Sequence, residues 1–507
     1  MKSAYTLGVA VMFVIAFISL PRVAKWSHVG RVSAAGQANI PPVVVSPEAP
    51  YVVPAPQAEH PPFDWFSWEN FIALNWPAAT NPSTGLLVRG QADVSKHVGD
   101  PGPRVWETYK ADWEAFGTGK ITPSPTAWGS WDVSGGMNPC GAADITKLST
   151  TLTMITKMDS VINGFTQASQ AGPLIDSNGN YVRYEMRMNQ AEYETIVNNN
   201  WYIADNLPPM VQFPSSTSNP NQYGALEIKA AWRELIPGVD ERSRYYSVNA
   251  KIVDPGSPPT CRNAVMGLIG FHMAIKTAPF MEWVWATFEQ EDNVPDGGIV
   301  AGTHYSLNNG TASPPTDENG FNFPPNGVNA QTKGPSPPPT DQPLAKLPPV
   351  QVTRFTPIDN NIQAANQLFH QQLAGTWLAH YNLVADQWPR NNPTPPDPRK
   401  PYPEGSGMPF PNDHVANTSA ETYFQNEVPN KLLGNSCMSC HFRAAVTDFS
   451  WMLLEEARPA PLTGAQRAMI RTLPAARLKQ AKDRAEALNL LRRSMREVFP
   501  EAPNRSK

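Results

Sequence analysis

Proline sets the first limit on how this chain can fold. Its 507 residues include 54 prolines, about twice the usual share of roughly 5%, and they come in blocks. Eight lie between residues 40 and 62 and eleven between 307 and 350, while a further block covers 389–413. Proline lacks a backbone N–H and fixes φ, so such blocks neither continue helices nor sit inside sheets. The first predicts a Pro-rich linker over 39–62; the other two predict long surface loops. A folded body is therefore expected over 63–450, interrupted by loops. Apolar residues at 41%, with 15 Trp and 20 Phe, supply a core and argue against disorder. A net charge of −4 leaves no basic field for nucleic acid.

The two ends differ from this body. Lys2 precedes an apolar run from Ala4 to Leu20, and small residues follow at Ser33, Ala34, Ala35, Gly36 and Ala38. Residues 1–38 read as an export signal peptide, or as a retained N-terminal anchor, since 17 residues barely span a bilayer. Arg22, Lys25 and Arg31 after the run oppose a simple anchor by the positive-inside rule. The periplasm is the expected compartment, with the membrane touched only through such an anchor. Residues 451–507 hold twelve Lys/Arg against six Asp/Glu and predict a basic helical tail.

Within the body, Trp65, Trp68, Phe71, Ile72 and Trp76 recur at helical spacing until Pro77. Trp106, Tyr109, Trp113 and Phe116 form a second stripe, expected on one helix. From about 224 the period becomes two. Ala225–Leu235, Arg244–Val253 and Asn263–Thr277 read as strands of an antiparallel meander, with Glu282–Phe288 as a fourth. In the third, Ile269, Phe271, Met273 and Ile275 are expected on the greasy face, and Leu268, Gly270, His272, Ala274 and Lys276 on the other. Asn361–Trp388 reads as an amphipathic helix, and Thr418-x-x-Glu421 as the capping box of another. The fold class is α+β: an antiparallel β meander packed with helices, long Pro-rich loops, and a haem-bearing helical C-terminal part.

The haem expectation rests on Cys437-Met438-Ser439-Cys440-His441, a C-x-x-C-H sequence. Two thiols on one helical turn can add to the two vinyl groups of a haem, and the adjacent His then ligates the iron from the proximal side. A structural zinc would want a second paired motif, and a dithiol redox pair would follow a strand in a βαβ unit. Neither context occurs here. One covalent haem c, held by Cys437, Cys440 and His441, is the expectation. Cys140 and Cys261 remain; in an oxidising compartment they pair, or else stay as buried free thiols.

The distal ligand is left open among His370, His380 and His272, with Met408, Met438, Met452 and Met469 favoured by no spacing. Gly270 and Ala274 beside His272 suggest room for a macrocycle. Glu227, Lys229 and Arg233 share one strand face. With His272, Glu227 and Arg233 are the candidates for acid–base work at an open iron; the alternative is a solvated strand face and hydrogen-bonded core histidines.

Several stretches together resemble exported bacterial proteins of the "cytochrome c family" with one C-x-x-C-H motif: Trp68 to Pro77, Glu227 to Leu235, Gly267 to Thr277, Trp283 to Pro295, and the motif itself. The similarity covers about 63 to 445. In that family a His often follows the Glu here numbered 289; this chain has Gln290. Some members look similar to periplasmic enzymes that oxygenate oleic acid to hydroperoxides and diols. The resemblance implies haem-iron oxygen or peroxide chemistry on a small apolar substrate such as an unsaturated fatty acid. A periplasmic electron-transfer cytochrome partnering another redox protein is the alternative, and a haem sensor a third.

Overall fold

The computed structural model describes residues 41–54, 60–117, 124–131, 174–216, 223–254, 260–278, 280, 283–296, 298–310, 351–354, 356–389, 409–410, 417–422, 437, 441, 444 and 447–457. The expected signal or anchor, most of both Pro-rich loops, Cys140, Cys440 and nearly all of the basic tail lie outside the described residues. The described part is a mixed α+β structure dominated by antiparallel sheet.

Helix α1 (Pro62–Leu74) starts on a proline at its first position and buries every residue except Glu69. A helix apolar all round belongs inside a core. After it come the hairpin strands β1 (Ala78–Thr80) and β2 (Leu87–Ala92). The large sheet comprises β3 (Lys110–Ala111), β4 (Arg183–Met188), β5 (Leu226–Glu234), β6 (Ser247–Asp254), β7 (Thr260–Lys276), β8 (Trp283–Gln290), β9 (Tyr381–Pro389) and β10 (Pro409–Phe410). Its order is β10-β9-β8-β7-β5-β4-β3. Helices α2 (Asp112–Phe116), α3 (Gln190–Asn198), α4 (Asn360–Gln372) and α5 (Trp451–Glu456) complete the described elements.

The four strands expected between 224 and 290 are present, but they are not a simple meander. Strand β5 pairs with β7, not with β6. The 17 residues of β7 are long enough for β6 and β8 to share its other edge, end to end. A bulge then exchanges the expected faces of Leu268 and Ile269 in β7 and leaves those of residues 270–276 as expected. Ala231 pairs with Gly270 and Trp232 with Leu268, so Ile269 is the extra residue. One inserted residue reverses the alternation beyond it. Leu268 accordingly joins Phe271, Met273 and Ile275 in the main core, while Ile269 packs on the opposite face.

Two expected helices are also corrected. The Trp106 stripe breaks into a 3₁₀ turn (Trp106–Thr108), β3 and α2. Tyr109 is extended, and the Glu114 carboxylate accepts from Ala111 N at 2.9 Å, restarting the helix at Asp112. The expected helix Asn361–Trp388 is helical only to Gln372. Gly375 at φ +85° ends it, and Tyr381–Pro389 pairs with β8 as a strand. The open edge of β8 decides here, because its backbone groups need partners.

The Pro-rich linker is extended but packs on the body. Trp65 Nε1 donates to Pro42 O at 3.3 Å, and Thr277 Oγ1 donates to Tyr51 O at 2.9 Å. Residues from Pro41 onward form one unit. Among the described residues no helix is long and apolar enough to cross a membrane.

Candidate functional site

Side chains directly opposite one another in an antiparallel sheet share a face. The register therefore defines rows. Met186, Lys229, His272, Thr287 and Ala385 form one; Met188, Glu227, Ala274, Trp285 and Gln387 form the next. These two rows lie away from α1. The row through Glu227 belongs to an apolar cluster with Trp283, Trp285, Phe449, Met452 and Leu453. Tyr184, Ala231 and Ile269 belong to a second cluster further up the sheet. The row through Lys229 and His272 runs between them.

A turn at residues 417–422 docks onto this row. Asn417 Nδ2 donates to Thr287 Oγ1 at 2.7 Å, Thr418 N donates to Glu289 Oε1 at 2.6 Å, and Tyr184 OH donates to Ser419 O at 2.7 Å. Gly270 makes the close approach possible, since a Cβ there would sit 2.0 Å from Ser419 Oγ. The room expected beside Gly270 for a macrocycle is thus filled by this turn. The capping contact also differs from expectation: Asn417 N, not Thr418, donates to the Glu421 carboxylate, because Thr418 is held by Glu289. The result is to bring Glu421 Oε1 within 3.3 Å of His272 Nε2.

That pair is close without being hydrogen-bonded, and Nε2 has no aligned partner. The His272 and Glu421 side chains keep 20% and 25% of their surface accessible, although Phe271, Thr287 and Glu289 around them are buried. They line a cleft. Burial, reinforced by Lys229, pushes His272 down to about 3; burial pushes Glu421 up to about 7 against the pull of Lys229. His272 is therefore neutral at physiological pH, while Glu421 sits close to its titration midpoint.

His441 enters the same neighbourhood. Its ring lies on Trp285 with centroids 4.0 Å apart, and its Nδ1–H donates to Phe449 O at 2.7 Å. Burial pushes its pKa down to about 4, with His272 and Lys229 adding to the shift. A neutral imidazole that donates from Nδ1 carries its lone pair on Nε2, the arrangement found in metal-ligating histidines. The receiving carbonyl sits in strained backbone: Asp448 and Phe449 have φ of 54° and 66°, a region that non-glycine residues rarely adopt. Asp448 Oδ2 accepts from Phe213 N at 2.7 Å and from Lys276 Nζ, and Trp283 Nε1 donates to Asp448 O at 2.6 Å. These bonds hold the turn that orients His441.

Cys437 is partly buried and packed against the Trp283–Phe449 cluster. Cys437 and His441 both have helical backbone. Cys261 is disulfide-bonded, to a partner outside the described residues. It lies thirteen positions along β7 from Ala274, the neighbour of Trp285, or roughly 40 Å at the rise of a strand.

The other sequence candidates separate cleanly. Glu227 lies in the row next to Lys229 and His272; Ser450 Oγ donates to its Oε2 at 2.8 Å, and burial pushes it up to about 7. Glu192 lies near it with both oxygens unpartnered, a buried acid raised well above its ordinary range by burial and by Glu227. Arg233 is enclosed by Asp176 and Asp240 at 3.2 and 2.7 Å. His370 Nε2 bonds Tyr381 O at 2.7 Å and its ring packs on Trp68, on the α1 side of the sheet. His380 bonds Glu291 at 2.7 Å. Of the three histidines considered for the distal side, the fold brings His272 toward His441. Met452 is buried in the apolar cluster; Met408, Met438 and Met469 lie outside the described residues. Glu421, Trp285 and Phe449 went unsingled as site residues, and only Glu421 had a local signal, its place in T-x-x-E.

Comparison with family models, curated proteins and solved structures finds no match to this chain.

Proposed function

We propose that this chain is an exported mono-haem c-type oxidoreductase, with oxygen or peroxide chemistry on an apolar substrate such as an unsaturated fatty acid. Cys437 and Cys440 would carry the thioethers, and His441 Nε2 would ligate the iron. Cys140 is proposed as the partner of Cys261, which leaves both thiols of the motif for the cofactor. When bound, the haem supplies an iron able to react with oxygen or peroxide. The chain's own residues do the rest. Phe449 O fixes the His441 tautomer, Trp285 fixes the ring plane, and His272 with Glu421 accepts and returns protons. The Trp283–Phe449 cluster offers an apolar wall.

The observation that carries this reading is the neutral His441, oriented through Nδ1, beside a group of buried ionisable side chains. An electron-transfer haem has no need of such a group, and burying it is unfavourable. The test is made on protein from a maturation-competent, exporting host. Haem staining after denaturing electrophoresis should give a coloured band. Carbon monoxide should then shift the reduced spectrum fully, and peroxide should support turnover of oleate. A stained band with no carbon monoxide shift would assign the chain to electron transfer. An unstained band would remove the oxidoreductase reading.

A further inference from the structure

On the opposite side of the sheet from His441, three ligand-type side chains converge. His60 precedes α1, Asp64 lies in its first turn, and Asp386 comes from β9. Their ligand atoms all lie within 4.8 Å of one another. His60 Nδ1 is 2.6 Å from Asp64 Oδ1, and Ser67 Oγ donates to Asp386 Oδ2 at 3.3 Å. Both carboxyls are fully buried, they face each other, and Asp64 Oδ2 and Asp386 Oδ1 have no hydrogen-bond donor. Two adjacent buried carboxylates with one imidazole are short of positive charge. Phe63 and Trp388 stack on each other beside them, and among the described residues no lysine or arginine pairs with either acid.

We infer that His60, Asp64 and Asp386 form a binding site for a divalent transition-metal ion. One imidazole nitrogen with carboxylate oxygens suits Zn²⁺, Mn²⁺ or Fe²⁺; Ca²⁺ and Mg²⁺ prefer all-oxygen shells. The ion meets the two orphaned oxygens and replaces the proton the pair otherwise shares. Its ligands come from the segment before α1, from α1 and from β9, so it ties the N-terminal part of the body to the sheet. The site is separate from the proposed haem, and does not depend on that reading.

The experiment uses the full chain as purified, treated with chelator and titrated with Mn²⁺ and then Zn²⁺. Metal content is read by mass spectrometry after gel filtration, and stability by thermal unfolding. Wild type should retain one added ion per chain and unfold at a higher temperature with it. Asp386→Asn should bind at least about tenfold more weakly, the loss typical even of a residue behind the ligands, and should lose the thermal gain while unfolding no lower than metal-free wild type. His60→Ala, which alters a side chain at 16% exposure, should lose the same gain and serves if the buried variant does not fold. Wild type that retains no ion, or variants that titrate like wild type, would overturn the assignment.

Discussion

The two faces of the large sheet have opposite characters. On the α1 side, Phe71 stacks on Phe288 with centroids 4.0 Å apart, Phe63 on Trp388 at 4.0 Å and Trp68 on Phe369 at 5.0 Å. Trp106, Trp232 and Phe271 continue the same cluster. That face draws most of its stability from apolar burial, about 1.5–3 kcal/mol for each large side chain, and its polar groups such as Glu107, Glu185, Asn366 and His370 are held by hydrogen bonds. The other face keeps Lys229, His272, Glu227, Glu421 and His441 between two smaller apolar clusters. Each of these ionisable groups is unfavourable to bury. A dry face of this size tolerates a destabilising one, and that division lets chemistry be carried on the sheet without endangering the fold.

Substitutions on the two faces should therefore fail in different ways. His441→Ala should have the largest effect, abolishing the normal haem spectrum while far-ultraviolet circular dichroism stays unchanged; a retained spectrum would contradict the ligand assignment. Trp68→Ala, on the dry face, should destabilise by about 3–5 kcal/mol in denaturant unfolding and leave the spectrum of the surviving folded protein intact. His272→Gln should lower peroxide-dependent turnover roughly 100-fold, the range of a lost acid–base group, with little change in unfolding.

Two smaller effects test the electrostatics. The Glu227 carboxyl is raised from its ordinary 4.5 to about 7 by burial. Its contribution to stability is fully present below about pH 4.5 and is lost as pH rises through about 7. Wild type should lose stability relative to Glu227→Gln across that window, measured as thermal unfolding against pH. His272 runs the other way: depressed on folding, it contributes above its ordinary 6.5 and loses that contribution as pH falls toward 3. Smallest is Ser450→Ala. Ser450 Oγ caps α5 through Leu453 N at 3.1 Å and also holds Glu227, so its loss should cost about 1 kcal/mol.

Elements with an unbroken local period were legible in the sequence. Helix α1 and strands β5 to β8 lie close to where Trp65–Trp76 and the alternation after Ala225 put them. Where one residue changes the outcome, the pattern misleads. Ile269 is a bulge and exchanges faces with Leu268, and Gly375 turns an apparent helix into a strand because β8 has an edge to fill. The site was half legible. The C-x-x-C-H sequence names His441, but nothing local says that its Nδ1 partner is Phe449 O, eight residues on, in strained backbone. Glu421 meets His272 across about 150 positions of chain, a contact that sheet register creates and sequence spacing does not encode.

The length of β7 has a consequence for biogenesis. On the function proposed above, the chain would meet oxidising enzymes before or while its cofactor is inserted. Because a rigid ribbon of hydrogen-bonded backbone keeps Cys261 far from Cys437, a bridge between these two would require the central strand to be peeled from both neighbours. On that reading, oxidation of one cysteine pair once the sheet has formed would leave the other thiols reduced, and the two proposed maturation reactions could proceed in either order.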